Sequence, residues 1–350
     1  MPRVVGLDPG TVSIDVCGLI DGRLYLDRSW PTEEVLAHPE GFLDLLTAAG
    51  APDLVAGPSG YGLPLLHSAQ ATEDDLRLAF LASPDEPGGI GGLRRFARAL
   101  SDAGLQMIYT PGVIHLDTVP VHRKLNRVDM GTADKLCAAA LGIHQECERR
   151  ACSPAEVSFI LVELGGAFTA GLAVERGQVV DGMGGTSGPI GWHAAGALDG
   201  EVAFLAGRIS KGALFQGGVS TLVEREPHRR SVALEAYIEG AAKTVRLLRC
   251  SAPSAGEILL SGRQAAEAGI RERLAQELAD VGPVRLLRGF AAVAKQGAQG
   301  AALLADGLSG GQNAALVDRL RLREARGTVL DHLVFISPDA ARRRLGIAVP

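Results

Sequence analysis

The sequence predicts an α/β protein made of two similar domains, and three observations lead to this fold class. The first is a short apolar strand that ends in a glycine-containing turn, VVGLDPGT at residues 4–11. The second is a copy of this pattern at residues 158–182, and a pattern repeated in the same order indicates a duplicated unit. The third is the length of 350 residues, which suffices for two domains with sizeable cores.

The first turn has residues that suit an anion or a metal. Gly10 can adopt backbone angles that other residues avoid, and Pro9 has no amide to donate. A tight turn of this kind can gather amides and the Thr11 hydroxyl around an anion, while the carboxylate of Asp8 can hold a metal through water. An ordinary hairpin turn would leave the same pattern, and the turn alone does not separate the two.

The copy at residues 158–182 strengthens the anion interpretation. It contains an apolar strand, an acidic residue, a glycine pair, a threonine, a second strand, a polar turn and a third strand. Glu163 corresponds to Asp8, Gly165 and Gly166 to the glycine turn, and Thr169 to the threonine of the first turn. Two such units suggest twin domains that face one shared anion.

Composition favours a soluble enzyme. Apolar residues make up 47% of the chain, yet no apolar run reaches the roughly 20 residues of a membrane span, and no signal peptide is indicated. A net charge of −5 argues against a nucleic-acid partner, because such proteins neutralise phosphates with positive charge. Five cysteines without a CxxC spacing favour a reducing cytoplasm.

Between the two copies the sequence predicts alternating helices and strands. A helix is expected at 31–50 and a short strand at 53–56, followed by the glycine-rich loop GPSGYGLP at 57–64. Open α/β sheets place ligands at the carboxyl ends of strands, so Ser59 and Tyr61 are candidates for an acceptor pocket. The alternative is a connector whose glycines only permit turns.

The second half has two more candidate loops. Gly185, Thr186 and Ser187 follow the third strand of the copy, where they either line a substrate pocket or merely form turns. A strand at 258–260 leads into Ser261, Gly262 and Arg263. Beyond it the sequence predicts a small-residue helix at 291–304, and a tail with one helix and a strand near 329–336. The tail is expected to pack on the first domain or to form a homodimer contact.

In this pattern the chain resembles the superfamily of actin, the heat-shock chaperone ATPases, the sugar kinases and acetate kinase. Further resemblance lies in GTADKLCAAALGI at 131–143, EILLSGR at 257–263 and AKQGAQGAALLADGL at 294–308. The resemblance implies two ribonuclease-H-like, actin-like ATPase domains with a nucleotide cleft between them. It implies a first domain at 1–152, a second at 153–290, and C-terminal helices and a strand at 291–350 that return to the first.

Two motifs resemble the family of predicted butyrate kinases within this superfamily, HLDTVP at 115–120 and MGTAD at 130–134. The resemblance implies ATP and Mg²⁺ as cofactors, with Asp8 and Glu163 handling the metal through water. It assigns the phosphates and the adenosine to the loops at the strand ends. The implied nucleotide-binding residues are Gly10, Thr11, Gly165, Gly166, Thr169, Ser261, Gly262 and Arg263.

The same resemblance implies roles on the acceptor side. Asp117 lies in the DT motif and is assigned to the metal or to positioning of the acceptor. Arg123 and Arg127 are assigned to the phosphoryl group or the acceptor carboxylate, because a guanidinium meets such oxygens bidentately. Asp129 and Asp134 can instead cap the helix that begins near Thr132.

The expected activity is transfer of the γ-phosphoryl group to a small-molecule acceptor, a short carboxylate, giving an acyl phosphate. The histidines that flank the acetate kinase GTS sequence are Met130 and Asp134 here, and DPGT is closer to the sugar-kinase loop. Three alternatives therefore stay open. They are an ATPase that activates or remodels a partner protein, a non-catalytic nucleotide sensor, and a kinase of a sugar or other hydroxyl acceptor.

Overall fold

The computed structural model describes residues 2–10, 12–48, 50–57, 60–81, 96, 98–100 and 102–349. The chain divides into two compact units. The first unit comprises residues 1–128, 132–154 and 289–350, and the second comprises 129–131 and 155–288. The tail from residue 291 thus groups with the first unit, whereas the three residues Asp129–Gly131 group with the second.

The first unit contains a six-stranded sheet in the order β3-β2-β1-β4-β6-β5. Strands β1, β2 and β3 form an antiparallel meander, and β4 and β6 extend the sheet in parallel from β1, while β5 pairs antiparallel with β6 at the edge. The strands are β1 (Arg3–Pro9), β2 (Ser13–Ile20), β3 (Arg23–Pro31), β4 (Leu54–Ala56), β5 (Leu66–His67) and β6 (Met107–Tyr109).

The second unit repeats this arrangement in a five-stranded sheet of order β11-β10-β7-β8-β9. Again three antiparallel strands form a meander, and two parallel strands continue from its first member. The strands are β7 (Phe159–Leu164), β8 (Thr169–Glu175), β9 (Gln178–Met183), β10 (Ile258–Ser261) and β11 (Val284–Leu286). The α/β fold with two three-stranded copies is therefore confirmed.

Helices cover both sheets, and none among the described residues is long and apolar enough to cross a membrane. In chain order they are α1 (Thr32–Ala37), α2 (Pro39–Ala48), α3 (Glu73–Phe80), α4 (Val121–Lys124), α5 (Ala133–Arg150), α6 (Gly200–Ala206), α7 (Val219–Arg225), α8 (Arg230–Arg249), α9 (Ala268–Glu277), α10 (Gln296–Leu308), α11 (Ala314–Arg319) and α12 (Pro338–Arg344). The helix predicted at 31–50 is interrupted at His38, because a residue before proline disfavours helical backbone angles.

Helix α10 lies at the centre of the first unit, where it packs on β1, β2 and α5. Its small residues permit a very close approach. A Cβ atom on Gly6 of β1 would lie 2.2 Å from the Ala298 carbonyl oxygen, and one on Gly300 would lie 1.8 Å from the Cys137 carbonyl oxygen of α5. Glycine is thus required on both contact faces.

The strand predicted near 329–336 is absent from the structure, where residues 328–337 form turns and bends. Side chains hold the backbone in this shape. The Asp331 carboxylate accepts from the Thr328 amide at 2.7 Å, and the Asn126 Oδ1 atom accepts from the amides of Val334 and Phe335, both at 2.8 Å. These amides are therefore not offered to a neighbouring strand.

The contact between α5 and α10 gives a testable prediction about stability. Gly300→Ala should lower the free energy of unfolding by about 1–3 kcal/mol or more, because the added methyl group overlaps the Cys137 carbonyl. Gly41→Ala, in helix α2 of the same unit, has nothing within 4 Å of the new Cβ and should be neutral or slightly stabilising. Denaturant unfolding measures both. Equal effects of the two substitutions would contradict the close packing.

Candidate active site

Asp8 lies at the carboxyl end of β1, in the centre of the first sheet, and only 8% of it is exposed. A Cβ atom on Gly297, in the first turn of α10, would lie 2.5 Å from Asp8 Oδ2 and 3.3 Å from Asp134 Cβ. Asp134 itself is in the first turn of α5. The Asp8 carboxylate therefore lies beside the first turns of two helices, whose ends favour negative charge.

The charges around Asp8 are incompletely balanced. Burial raises the pKa of Asp8 to about 7, and the negative charge of Asp134 acts in the same direction, while Lys295 and Lys135 oppose them. Burial also acts to raise the pKa of Asp134, but Lys135, whose Nζ lies 2.6 Å away, outweighs it and lowers that pKa. Asp134 thus has its own cation, whereas the charged form of Asp8 is disfavoured and would be stabilised by an additional cation.

Lys295 is a residue of this site that the sequence did not reveal. Its Nζ atom donates to Ser13 Oγ at 2.5 Å and lies 3.0 Å from Oδ2 of Asp15, a carboxylate that is only 1% exposed. The available signal was a single lysine within the small-residue helix predicted at 291–304, whereas the helix itself begins after this lysine, at Gln296. Nothing in the sequence brings that position next to the first hairpin, 280 residues away. This hairpin consists of β1, β2 and the turn between them, and the second hairpin consists of β7, β8 and their turn.

The tip of the first hairpin differs from the expected anion nest. The Gly10 amide donates to the Ser13 carbonyl at 2.9 Å and lies 3.0 Å from the Asp8 carbonyl. This amide therefore closes the hairpin and is not free for a phosphate, and the nucleotide-binding role of Gly10 stays a prediction. Thr11 lies outside the described residues.

The second unit brings several predicted residues together at the ends of β7 and β10. Glu163 is paired in register with Ser261, and the Gly165 amide closes the turn by donating to the Phe168 carbonyl at 2.9 Å. Gly262 has a φ of +88°, and a Cβ atom there would lie 2.5 Å from the Leu164 carbonyl oxygen. The SGR turn thus runs directly against the second hairpin.

Two predicted nucleotide-binding residues of the second unit have buried hydroxyls. Thr169 is fully buried on β8, and Ser261 is 2% exposed. Among the described residues, the Ser261 hydroxyl has no hydrogen-bond partner. The phosphate-binding role of Thr169 stays a prediction for a buried hydroxyl, whereas Gly166 at the tip and Arg263 in the following turn are exposed.

Asp129 organises the loop at Gly185, Thr186 and Ser187. Its Oδ2 accepts from the Thr186 amide at 2.9 Å and from the Thr186 hydroxyl at 3.0 Å, and its carbonyl accepts from Ser187 Oγ at 2.5 Å. A Cβ atom on Gly185 would lie 2.5 Å from the Phe168 side chain, so the loop adjoins the second hairpin. The sequence suggested that Asp129 caps α5, but Thr132 occupies the N-cap position of this helix.

The remaining acceptor-side candidates lie elsewhere in the sequence than the loop at 185–187 and have other contacts. Asp117 is engaged by Arg326 Nη2 at 2.7 and 2.9 Å, so its carboxylate is held in an ion pair with the tail. Arg123 is half-buried in α4, and Arg127 is exposed just after it. The Tyr61 amide donates to the Ala79 carbonyl at 2.7 Å. Ser59 lies outside the described residues.

A pocket of about 220 Å³ lies within the first unit, beside the loop at 62–66. Leucines 63, 65, 66 and 78 and Val329 make most of its wall aliphatic. Its polar members are already engaged, since Asp75 accepts from the Thr72 amide at 2.8 Å and Thr328 bonds to Asp331. Burial lowers the pKa of His115, which also lines the pocket, to about 4, so this ring is neutral at pH 7.

Solved structures of acyl kinases share this fold. The propionate kinase from Francisella tularensis subsp. tularensis SCHU S4 matches with a TM-score of 0.62 and 14% identity, over 86% of this chain and 98% of that one. The acetate kinase from Entamoeba histolytica matches with a TM-score of 0.57 and 11% identity, over 80% of this chain and 87% of that one. The acetate kinase from Porphyromonas gingivalis matches with a TM-score of 0.55 and 14% identity, over 81% of this chain and 88% of that one. At these identities the likeness establishes the two-domain, actin-like fold.

No curated protein matches the chain. One family does, over residues 6–335, which is nearly the whole sequence and includes both hairpins and helix α10. The chain therefore belongs to the family described as "Protein of unknown function (DUF1464)".

Proposed function

We propose that this protein is an ATP-dependent kinase that phosphorylates a short-chain carboxylate to an acyl phosphate. The observation that carries the proposal is the buried Asp8 at the end of β1, beside the first turns of two helices and short of positive charge. The shared fold with acetate and propionate kinases supports it. The motifs at 115–120 and 130–134 extend the proposal to a butyrate-kinase type of acceptor.

The residues present fit Mg²⁺ and ATP. Carboxylate oxygens are the ligands Mg²⁺ prefers, and it is commonly held by one or two of them together with water and substrate phosphates. No cluster of three or more His, Cys, Asp or Glu ligands occurs in the described part of the chain. Asp8 would hold the metal in the first unit, and we assign Glu163 to the same task in the second, each through water.

Bound Mg²⁺ would supply positive charge to the transferring phosphoryl group. The protein's own part is to bind and orient the reactants. A carboxylate oxygen of the acceptor forms a bond to the γ-phosphorus as the bond to the bridging oxygen breaks, and ADP leaves with that electron pair. Because a carboxylate is already ionised at pH 7, no side chain has to remove a proton.

The pocket beside the loop at 62–66 favours a partly aliphatic acceptor. A sugar carries several hydroxyls, each of which costs free energy when it is buried without a hydrogen bond. The pocket offers few free partners, since Asp75 and Thr328 are bound to their own neighbours. We therefore assign the pocket to the hydrocarbon part of a short acid, with Tyr61, the neighbour of the lining residue Gly62, at its edge.

A hydroxyl acceptor is the second candidate, and one observation favours it. A carboxyl group with a pKa of about 7 is suited to accept a proton from a hydroxyl nucleophile, and Asp8 has that pKa. Such an acceptor would make Asp8 a general base. The two candidates differ in product, because only the acyl phosphate reacts with hydroxylamine to form a hydroxamate.

The decisive test is an ADP-release screen with Mg²⁺ and ATP over acetate, propionate, butyrate, isobutyrate, hexoses and polyols. We expect turnover with at least one short acid, and hydroxamate formation on addition of hydroxylamine. Asp8→Asn should lower kcat by about 100-fold or more, because the metal-holding charge is lost. Turnover confined to hydroxyl compounds would favour the second candidate, and no turnover with any acceptor would refute both.

The buried Asp8 carboxylate should lower the stability of the folded protein, and this effect should depend on pH. Its pKa in the folded protein is about 7 against 3.8 for the ordinary group, so unfolding releases a proton between these values and stability falls as pH rises through them. Asn has no such dependence. Without Mg²⁺, the stability of Asp8→Asn relative to the wild type should therefore grow by about 2–3 kcal/mol between pH 5 and pH 8.

Denaturant unfolding at the two pH values measures this difference. Asp44→Asn removes an exposed carboxylate from α2 of the same unit and should show no such growth. A difference between Asp8→Asn and the wild type that stays constant with pH would mean that Asp8 is ionised normally in the folded protein.

The pocket assignment is tested by changing Leu65, which lines it. Leu65→Trp should raise the KM for butyrate more than that for acetate, because the larger side chain shortens the space for the hydrocarbon. Leu65→Ala should shift preference toward longer acids. If both variants change all KM values in parallel while their circular dichroism matches the wild type, the pocket does not hold the acceptor.

A further inference from the structure

The segment that leads into α10 is held by an unusual number of side-chain bonds. The Asp27 carboxylate on β3 accepts from the amides of Ala292, Val293 and Ala294, with distances of 2.8, 3.0 and 2.6 Å to its nearer oxygens. One carboxylate thus fixes three consecutive residues. The residue that follows them directly is Lys295.

Gln299 holds the same segment from the other side. Its Oε1 accepts from the amides of Phe290 and Ala291 at 2.8 and 3.0 Å, and its Nε2 donates to the Ala294 carbonyl at 2.7 Å. Gln299 is 1% exposed, so these bonds are made away from water. Asp27 and Gln299 together fix the approach to Lys295, which lowers the conformational entropy that its main chain would lose on binding a ligand.

The Lys295 ammonium group is placed at the tip of the first hairpin and remains open to solvent. The described residues account for two of its three donors, Ser13 Oγ at 2.5 Å and Asp15 Oδ2 at 3.0 Å. Its side chain is 47% exposed, although the Asp15 side chain is only 1% exposed. A Cβ atom on Gly10 would lie 3.4 Å from the Nζ atom, so the charge lies directly over the turn.

At this tip Lys295 supplies what the backbone does not. The Gly10 amide is used to close the hairpin, so it offers no hydrogen bond to a phosphate. An ammonium group with a spare donor is a strong phosphate ligand in its place. We propose that the Lys295 ammonium group binds an oxygen of the terminal phosphoryl group of ATP. This inference rests on the proposed function, in which Asp8 of the same hairpin would hold the Mg²⁺ that accompanies ATP.

A simpler role would also place a cation here, since a buried carboxylate such as Asp15 needs a counter-ion. The two roles separate when the pair is removed together. In Asp15→Asn/Lys295→Met no charge is left unpaired, so a counter-ion role is no longer needed, whereas a phosphate ligand is still missing. Lys295→Arg keeps the positive charge but replaces the ammonium group with a planar guanidinium group.

The test compares binding of a non-hydrolysable ATP analogue and of ADP, with Mg²⁺, by calorimetry on the full chain. We expect the double variant to bind the ATP analogue about 10- to 100-fold more weakly than the wild type, and ADP less than about 3-fold more weakly. Lys295→Arg should retain affinity for the analogue within about 10-fold. Lys243→Met, which removes a surface lysine paired with Glu239, should change neither affinity.

Each outcome decides between the roles. Wild-type affinity for the ATP analogue in the double variant would show that Lys295 is only the counter-ion of Asp15, and would leave the proposed function intact. Equal losses for ADP and the analogue would refute the assignment to the terminal phosphoryl group. If the wild type binds neither nucleotide, the proposed function fails, and this inference fails with it.

Discussion

The close packing of α10 against β1 and α5 is the contact on which the candidate site depends. Glycines at 6 and 300 let the backbones approach to distances that no side chain would permit. At Gly297 the space of a missing side chain is occupied by the Asp8 carboxylate. The same glycine-lined interface therefore forms the core of the first unit and places a carboxyl group beside the first turns of two helices. Core packing and site geometry cannot be separated here.

The electrostatics of this interface are unfavourable to the fold in the absence of ligands. Asp8, Asp15 and Asp134 lie near one another, with Lys135 and Lys295 as the nearby cations. Asp134 and Asp15 are each paired with a lysine, and Asp8 is left with a raised pKa. Functional sites commonly keep groups that the fold alone would not select. Asp8 fits that description better than any other carboxyl group of the first hairpin.

The parts of the structure that the sequence predicted are those that depend on neighbouring residues. Each meander is specified by apolar strands and polar turns a few residues apart, and both were identified correctly. Thr169 was matched to Thr11 by order, although Thr169 lies six positions after Glu163 and Thr11 lies only three positions after Asp8. That difference moves Thr169 out of the turn and into β8, where it is buried.

The contacts that were missed join residues far apart in the chain. Lys295 meets Ser13 and Asp15, Asp27 meets the segment at 292–294, and Asp129 meets Thr186. Local periodicity contains no information about such pairs. Asp129 was interpreted as a helix cap because the helix start is its nearest neighbour in sequence, while its actual bonds cross 57 residues.

The position of α10 in the chain also governs the order of folding during synthesis. Strand β1 leaves the ribosome long before the helix that covers it, which spans Gln296–Leu308. Until that helix emerges, the apolar face of β1 has no permanent cover, whereas strands β7 to β11 of the second unit have all been made by residue 286. Contacts of such long sequence separation are slow to form, and exposed apolar strands attract chaperones in the meantime. The nascent first unit is thus the part of this protein that most needs protection from aggregation.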